Sequence, residues 1–137
     1  MKTKDKEILF REATLTKVSS YSPYSKFRVG AALICKDSNI IAGTNVECSS
    51  YPCGICAERN ALFAAYSKGY RKDDIVAIAI SSDSKNYIYP CGLCCQVICE
   101  LMNPDSSLFL LNANGEPKEI KVKKLLPYLF NEDSLNV

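Results

Sequence analysis

Three cysteines and one glutamate stand at a spacing that could hold a metal ion and move a proton beside it. Cys56 is followed two residues later by Glu58. Cys91 and Cys94 form a Cys-x-x-Cys pair directly after Pro90. A structural zinc site normally has four protein ligands, whereas three thiolates leave a position for water. The pattern therefore predicts a catalytic zinc ion bound by Cys56, Cys91 and Cys94.

Glu58 and Arg59, two and three residues after Cys56, extend this prediction. Glu58 lies close enough to take a proton from a zinc-bound water and pass it to a substrate nitrogen. The alternative is that Glu58 is an ordinary first-turn acid that favours the helix dipole. Three thiolates carry more negative charge than one Zn²⁺ can neutralise. We therefore predict that Arg59 donates hydrogen bonds to one or more of the ligand sulfurs.

The composition narrows the range of chemistry that is available. The chain has 137 residues, 47% of them hydrophobic, which predicts a single domain over residues 1–137. It contains no histidine, so sulfur or carboxylate must hold any metal and another group must act as the general base. The eight cysteines could indicate a disulfide scaffold, but we see no export signal and interpret them as reduced thiols in the cytoplasm.

Charge and hydropathy argue against a polymer or a membrane as partner. Acidic and basic residues are interspersed and the formal net charge is +2, so the chain offers no basic stripe for nucleic acid. No uncharged apolar run approaches the roughly 18 residues that cross a bilayer. We also expect no signal peptide, because no apolar stretch follows a basic start.

Periodicity predicts three helices, over residues 4–18, 55–68 and 91–102. The first has Ile8, Leu9, Ala13, Leu15 and Val18 roughly on one side. The second is rich in alanine and leucine and ends at Gly69. These bounds place Cys56, Cys91 and Cys94 in the first turns of two helices, where N–H groups stabilise thiolates. A further helical turn is predicted over residues 125–130.

Five apolar segments are predicted to be strands: residues 27–36, 40–45, 75–81, 108–112 and 119–123. Turns are predicted at residues 37–39 and at Asn114-Gly115. Helices that alternate with buried strands favour an α/β fold with three α/β/α layers. We therefore expect a mixed five-stranded sheet with helices on both faces, and parallel strands at each β-α-β crossover.

Several motifs together resemble one family. Cys56-Ala57-Glu58 and Pro90-Cys91-Gly92-Leu93-Cys94 match the zinc deaminase pattern in an all-cysteine form. Residues 24–33, the Gly43-Thr44-Asn45-Val46-Glu47 segment with Tyr51, and Leu125-Leu126-Pro127 with Phe130 are similar to further signatures. In this order, over nearly the whole chain, they resemble the small zinc cytidine deaminases.

The resemblance implies an activity and a set of site residues. It implies hydrolysis of cytidine and 2′-deoxycytidine to uridine, 2′-deoxyuridine and ammonia, within pyrimidine salvage. Zinc would be the cofactor, bound by the three cysteines, and Glu58 would shuttle protons. Asn45 and Glu47 would hold the ribose, Phe27 would pack on the base and Ala57 would line the site. Family members of this size are homotetramers, and Tyr51 and Phe130 match residues that a neighbouring subunit contributes.

Other interpretations stay open. The activity could belong to a related deaminase of blasticidin S or of nucleic acid, or the chain could be a zinc-binding module without turnover. Phe27 could be core, and Asn45 could simply end a strand. Three residues depart from the family pattern: Cys95 replaces an arginine, Leu93 an alanine and Tyr89 a serine.

The remaining cysteines each have an interpretation. Cys48 and Cys53 flank the site in sequence and could mimic metal ligands. Cys95 would allow a closed site with four thiolates. Cys53 and Cys56 form a second Cys-x-x-Cys, which would suit a second metal or a redox pair. Cys35 and Cys99 are predicted to be buried and structural.

Overall fold

A mixed five-stranded sheet forms the centre of the protein. In this computed structural model, which describes residues 1–136, the strands are β1 (Val29–Cys35), β2 (Ile40–Thr44), β3 (Ile75–Ser82), β4 (Ser107–Leu111) and β5 (Pro117–Lys121). Their order across the sheet is β2-β1-β3-β4-β5. β1 is antiparallel to both β2 and β3, β3 is parallel to β4, and β5 is antiparallel to β4. The strands at each predicted crossover, β2 with β3 and β3 with β4, therefore run in the same direction, as expected.

Helices cover the sheet on both faces, which confirms the predicted three layers. They are α1 (Thr3–Thr16), α2 (Ala57–Ser67) and α3 (Gly92–Leu101). Leu9 of α1 packs on one face of the sheet with Ala32 and Phe109. Leu62 of α2 and Ile98 of α3 pack on the other face. No helix within residues 1–136 is both long enough and apolar enough to cross a membrane.

Helix α2 lies unusually close to β2, and a glycine makes this possible. A Cβ atom built on Gly43 would lie 2.6 Å from the backbone nitrogen of Ala61 and 3.1 Å from the carbonyl oxygen of Ala57. Only a residue without a side chain fits between the strand and the helix at this point. Because α2 begins directly after Cys56, the close approach sets the position of that cysteine relative to the sheet.

The predicted apolar face of the first helix is wrong at its C-terminal end. Leu9 and Ala13 are buried as expected, but Leu15 and Val18 are 57% and 72% exposed. The α-helix ends at Thr16, and residues Lys17–Ser19 form a 3₁₀ turn. Lys17 follows Leu9 and Ala13 at intervals of four residues and is buried on the same face, whereas Leu15 and Val18 do not share that spacing.

The helical turn predicted over residues 125–130 is also wrong. Short 3₁₀ turns occur on either side of it, at Val122–Lys124 and Glu132–Leu135, while residues 125–130 form no helix. Pro127 cannot donate a backbone hydrogen bond, and Leu125 and Leu129 pack on the core as separate anchors. The apolar residues in this segment therefore mark burial and not helical periodicity.

Candidate metal centre

The three predicted zinc ligands converge at the beginnings of two helices. Cys56 is the N-cap residue of α2 and Cys91 is the N-cap residue of α3, both with extended backbone. Cys94 lies in the first turn of α3 and is fully buried. The prediction placed Cys56 two positions and Cys91 one position too far into their helices. As N-cap residues they lie beside the free N–H groups of the first turn, which is the environment expected for thiolates.

The geometry of the sulfurs fits a zinc ion. The three Sγ atoms all lie within 4.8 Å of one another. Those of Cys56 and Cys91 are 3.8 Å apart. Thiolates bound at about 2.3 Å around a tetrahedral Zn²⁺ lie about 3.8 Å from one another, so the donor set has the right chemistry and spacing. Within residues 1–136, no other group of three or more histidine, cysteine or acidic residues brings its ligand atoms close enough together to hold a metal ion.

Arg59 lies against the sulfur cluster, as predicted. Its Nη2 atom is 3.6 Å from the Sγ atom of Cys56. Its Nε–H is buried and has no hydrogen-bond partner among the residues that the structure describes. A guanidinium with a spare buried donor is suited to offset the charge of several thiolates.

This environment changes the pKa values of Cys56 and Cys94. A hydrogen bond from Cys94 and the contact with Arg59 lower the pKa of Cys56 to about 5, against the opposing effect of burial. The hydrogen bond between Cys94 and Cys56, together with burial, raises the pKa of Cys94. The thiolate of Cys56 therefore forms readily at the cluster, and metal binding requires each ligand cysteine in that form.

Glu58 lies beside the cluster in the first turn of α2. It is only 5% exposed. Burial is the main cause of a pKa above the ordinary value for a glutamate, and the neighbouring Cys56 thiolate raises it further. An acid that serves only the helix dipole would be expected at the surface. A buried carboxyl with a raised pKa is instead suited to accept and return a proton.

A cavity of about 310 Å³ opens in front of Glu58 and brings the expected substrate residues together. Its walls include Phe27, Asn45 and Glu47 together with Ala57. Phe27 is partly buried and faces this cavity, so the simple core interpretation does not describe it. Asn45 does more than end β2, because its side chain accepts a hydrogen bond from the N–H of Val29 and donates one to the carbonyl of Phe27.

Tyr51 and Phe130, the two residues expected to act in a neighbouring subunit, lie outside this cavity. Tyr51 is 73% exposed and borders an adjoining cavity of about 400 Å³ that Arg59 also lines. Phe130 is 61% exposed, and its carbonyl oxygen accepts a 2.7 Å hydrogen bond from Gln96. Both rings are thus free to contact another chain.

The three residues that depart from the family pattern are not part of the sulfur cluster. They are Tyr89, Leu93 and Cys95. Cys95 is buried, and its thiol donates to the carbonyl of Pro90 at 3.3 Å. This contact gives no support to a closed site with four thiolates. Leu93 is 66% exposed. Tyr89 lines the cavity, and its hydroxyl accepts a 2.6 Å hydrogen bond from Lys118 of β5.

Cys53, Cys35 and Cys99 also lie outside the cluster. Cys53 is exposed and hydrogen-bonds Ser50, so the second Cys-x-x-Cys brings no additional sulfur to the metal centre. Cys35 and Cys99 are buried, as predicted.

Sequence reasoning missed two groups that position the cavity. Ser25 contacts Glu47 and the backbone of Phe27. Asp83 joins Lys17 and Arg28 in a salt-bridge network, at 3.0 and 2.9 Å, where the ends of β1 and β3 meet. Ser25 and Arg28 belong to the segment 24–33 that resembles a family signature, but their partners Glu47 and Asp83 lie far along the chain, and no local pattern pairs them.

The sequence and the fold are similar to those of known cytidine deaminases. Residues 3–109 match the family model described as the cytidine and deoxycytidylate deaminase zinc-binding region. The cytidine deaminase of Halalkalibacterium halodurans is 46% identical over 132 residues, which cover 96% of this chain and 98% of that protein. The cytidine deaminase of Sporosarcina psychrophila is 42% identical and shares 96% of each chain. The crystal structure of cytidine deaminase from Burkholderia pseudomallei superposes with a TM-score of 0.88 at 39% identity, covering 95% of this chain and all of that one.

Proposed function

We propose that this protein hydrolyses cytidine and 2′-deoxycytidine to uridine and 2′-deoxyuridine with release of ammonia, because the chain belongs to the cytidine and deoxycytidylate deaminase family. The observation that carries the proposal is the set of three converging thiols beside the buried carboxyl of Glu58. The chain would act as one catalytic domain over residues 1–137. A zinc-binding module without turnover would not require an acid with a raised pKa facing a cavity.

Cys56, Cys91 and Cys94 would hold the zinc ion of this family. When bound, zinc supplies the Lewis acidity that lowers the pKa of a water molecule. Arg59 and the N-termini of α2 and α3 place positive charge against the three thiolates. This charge compensates for the excess negative charge of an all-cysteine ligand set.

Glu58 would move the protons of the reaction. It takes a proton from the attacking water and delivers it to N3 of the pyrimidine while the oxygen bonds to C4. After the tetrahedral intermediate forms, Glu58 carries the second proton of that water to the amino group, and the C4–N bond breaks to release ammonia. The raised pKa of Glu58 suits both transfers, since the carboxyl must accept and donate at similar cost.

The substrate residues would be those of the 310 Å³ cavity. Phe27 offers a flat apolar face to the base, and Asn45 and Glu47 offer a donor and acceptors to the sugar. Ala57 is buried beside Glu58 and leaves space for the ring. A site built to hydrogen-bond a hydroxyl discriminates strongly against compounds that lack it, which favours a nucleoside over the free base.

We further propose a homotetramer in which neighbouring chains contribute Tyr51 and Phe130 to each other's sites. Large apolar side chains that would otherwise face water support this assembly; they include Leu15, Val18, Tyr51, Tyr128, Phe130 and Leu135. Light scattering on a sizing column measures the mass. If sites are shared, chains carrying Tyr51→Ala and chains carrying Glu58→Gln should regain activity when they are refolded together.

The cellular role follows from the activity. Eight free thiols support a reducing, cytoplasmic location, and deamination of nucleosides supports a role in pyrimidine salvage. Neither a nucleic acid nor a membrane is proposed as a partner.

A substrate panel tests the proposed activity. Ammonia release by the zinc-loaded protein is measured with cytidine, 2′-deoxycytidine, cytosine, CMP, blasticidin S and a cytosine-containing single-stranded oligonucleotide. We expect turnover of the two nucleosides and its loss when a chelator strips the zinc. Turnover confined to blasticidin S or to the oligonucleotide would replace the proposed substrate, and no turnover of any compound would favour the binding module.

A further inference from the structure

We propose that Ser25 is a positioning residue that couples sugar recognition at Glu47 to base recognition at Phe27. The proposal rests on the function proposed above and assigns a role to a residue outside the expected contact set. Ser25 lies in the loop before β1 and lines both cavities of the site. Its hydroxyl stands between the two residues that it would couple.

The carboxylate of Glu47 is held by the loop that contains Ser25. One oxygen, Oε1, accepts hydrogen bonds from the backbone N–H groups of Tyr24 and Ser25, each at 3.0 Å. The other oxygen, Oε2, accepts from the hydroxyl of Ser25. An ionised carboxylate can only accept, so the single hydroxyl proton of Ser25 is committed to Glu47.

The same hydroxyl fixes the backbone of Phe27. With its proton directed at Glu47, the Ser25 oxygen is free to accept the N–H of Phe27 at 3.0 Å. Between them lies Lys26, whose φ of +59° is in the left-handed region that most side chains avoid. A residue persists in that region where its surroundings hold it there, and here the hydroxyl of Ser25 bridges over it.

Asn45 holds Phe27 from the other side. Its Nδ2 atom donates to the carbonyl of Phe27 at 2.7 Å, and its Oδ1 atom accepts the N–H of Val29 at 2.9 Å and the hydroxyl of Ser20. The two peptide groups that flank Phe27 are therefore fixed by a direct bond to Asn45 and by a bond through Ser25 to Glu47. Phe27, which would face the base, therefore belongs to the same hydrogen-bond network as Asn45 and Glu47, which would face the sugar.

The network also limits which hydrogen bonds a sugar hydroxyl can form with Asn45 and Glu47. Oδ1 of Asn45 already accepts two hydrogen bonds, so Asn45 offers a sugar only its remaining Nδ2–H. Glu47 must then supply the acceptor, and its direction is set by Ser25. Loss of the Ser25 hydroxyl should therefore weaken discrimination between sugars in addition to lowering the rate.

The test compares sugar discrimination in Ser25→Ala with that in the wild type, both zinc-loaded. We measure kcat and KM for cytidine, 2′-deoxycytidine and 3′-deoxycytidine, and take the ratio of kcat/KM between cytidine and each analogue. We expect the larger of these two kcat/KM ratios to fall about tenfold or more in Ser25→Ala. This is the effect expected from the loss of one hydrogen bond to a charged group. Ser25→Thr, which keeps the hydroxyl, should retain the wild-type ratio. Ser67→Ala, at an exposed serine at the end of α2 and away from both cavities, is the control.

A second background separates an effect through Glu47 from a general loss of structure. In Glu47→Ala, adding Ser25→Ala should leave the ratio unchanged, because the group that Ser25 orients is absent. The proposal is overturned if Ser25→Ala lowers kcat/KM for all three nucleosides by one common factor, or not at all. A wild-type protein that converts none of them would instead refute the proposed function.

Discussion

The contact between α2 and β2 gives the sharpest link from packing to activity. Replacing Gly43 with alanine adds one methyl group where the strand meets the helix. That carbon would lie 2.6 Å from the nitrogen of Ala61 and 3.0 Å from the Cβ of Asn60. Backbone occupies the closest position, so no side-chain rotation relieves the overlap, and the helix itself must move.

The size of the effect follows from the overlap. A carbon and a nitrogen in ordinary contact are about 3.5 Å apart, so the helix has to shift by roughly 1 Å. Overpacking of this kind costs about 1–3 kcal/mol of unfolding free energy. The same shift moves Cys56 and Glu58 relative to Cys91 and Cys94 on α3. A displacement of about 1 Å at a reacting group can lower the rate about 100-fold.

Urea denaturation and cytidine turnover measure the two effects in one preparation. We expect Gly43→Ala to lose about 1–3 kcal/mol of stability and most of its kcat. Ala42→Ser, on the exposed side of the same strand, is the matched control and should change neither. If Gly43→Ala keeps wild-type stability and turnover, the close approach of α2 does not position the site and the reasoning is refuted.

Three further substitutions test single contacts. Arg59→Ala should weaken zinc affinity by about tenfold or more, the value of one charged hydrogen bond to Cys56, with a smaller loss in Arg59→Lys; competition with a chelator measures this, and unchanged affinity would contradict it. Cys95→Ala should retain its zinc after dialysis, whereas loss of the metal would indicate a fourth sulfur ligand. Asp83→Asn should cost up to about 1 kcal/mol at neutral pH. Because the hydrogen bond from Arg28 lowers the pKa of Asp83, its contribution is present above the ordinary value of 3.8 and is lost as the pH falls through the lower, folded value. Urea titrations at several pH values would show this difference shrinking in acid, and a constant difference would contradict it.

The sequence was most informative where local rules act over a few residues. The Cys-x-x-Cys spacing and the periodic apolar segments predicted the sulfur cluster, the five strands and the helices on both faces. The same rules could not resolve a shift of one or two residues, so Cys56 and Cys91 were placed inside helices whose N-caps they form. They also extended the first helix over Val18, because they do not reveal where an α-helix tightens into a 3₁₀ turn.

The remaining features depend on contacts between distant parts of the chain. Ser25 reaches Glu47 across 22 positions, and Arg28 reaches Asp83 across 55. A serine in a polar loop and an aspartate after a strand are common, and only the folded topology gives them partners. The proximity of Arg59 to sulfur could be predicted because charge balance at an all-cysteine site requires a cation nearby.

Glu58→Gln provides the most direct test of the central claim, that three thiols hold zinc while a buried acid moves the protons. Glutamine has nearly the same shape but cannot exchange a proton, so the variant should keep its zinc. Its conversion of cytidine, followed by ultraviolet absorbance, should fall about 100-fold or more. Wild-type turnover by a zinc-loaded Glu58→Gln protein would show that the proton carrier is another group and would contradict the mechanism.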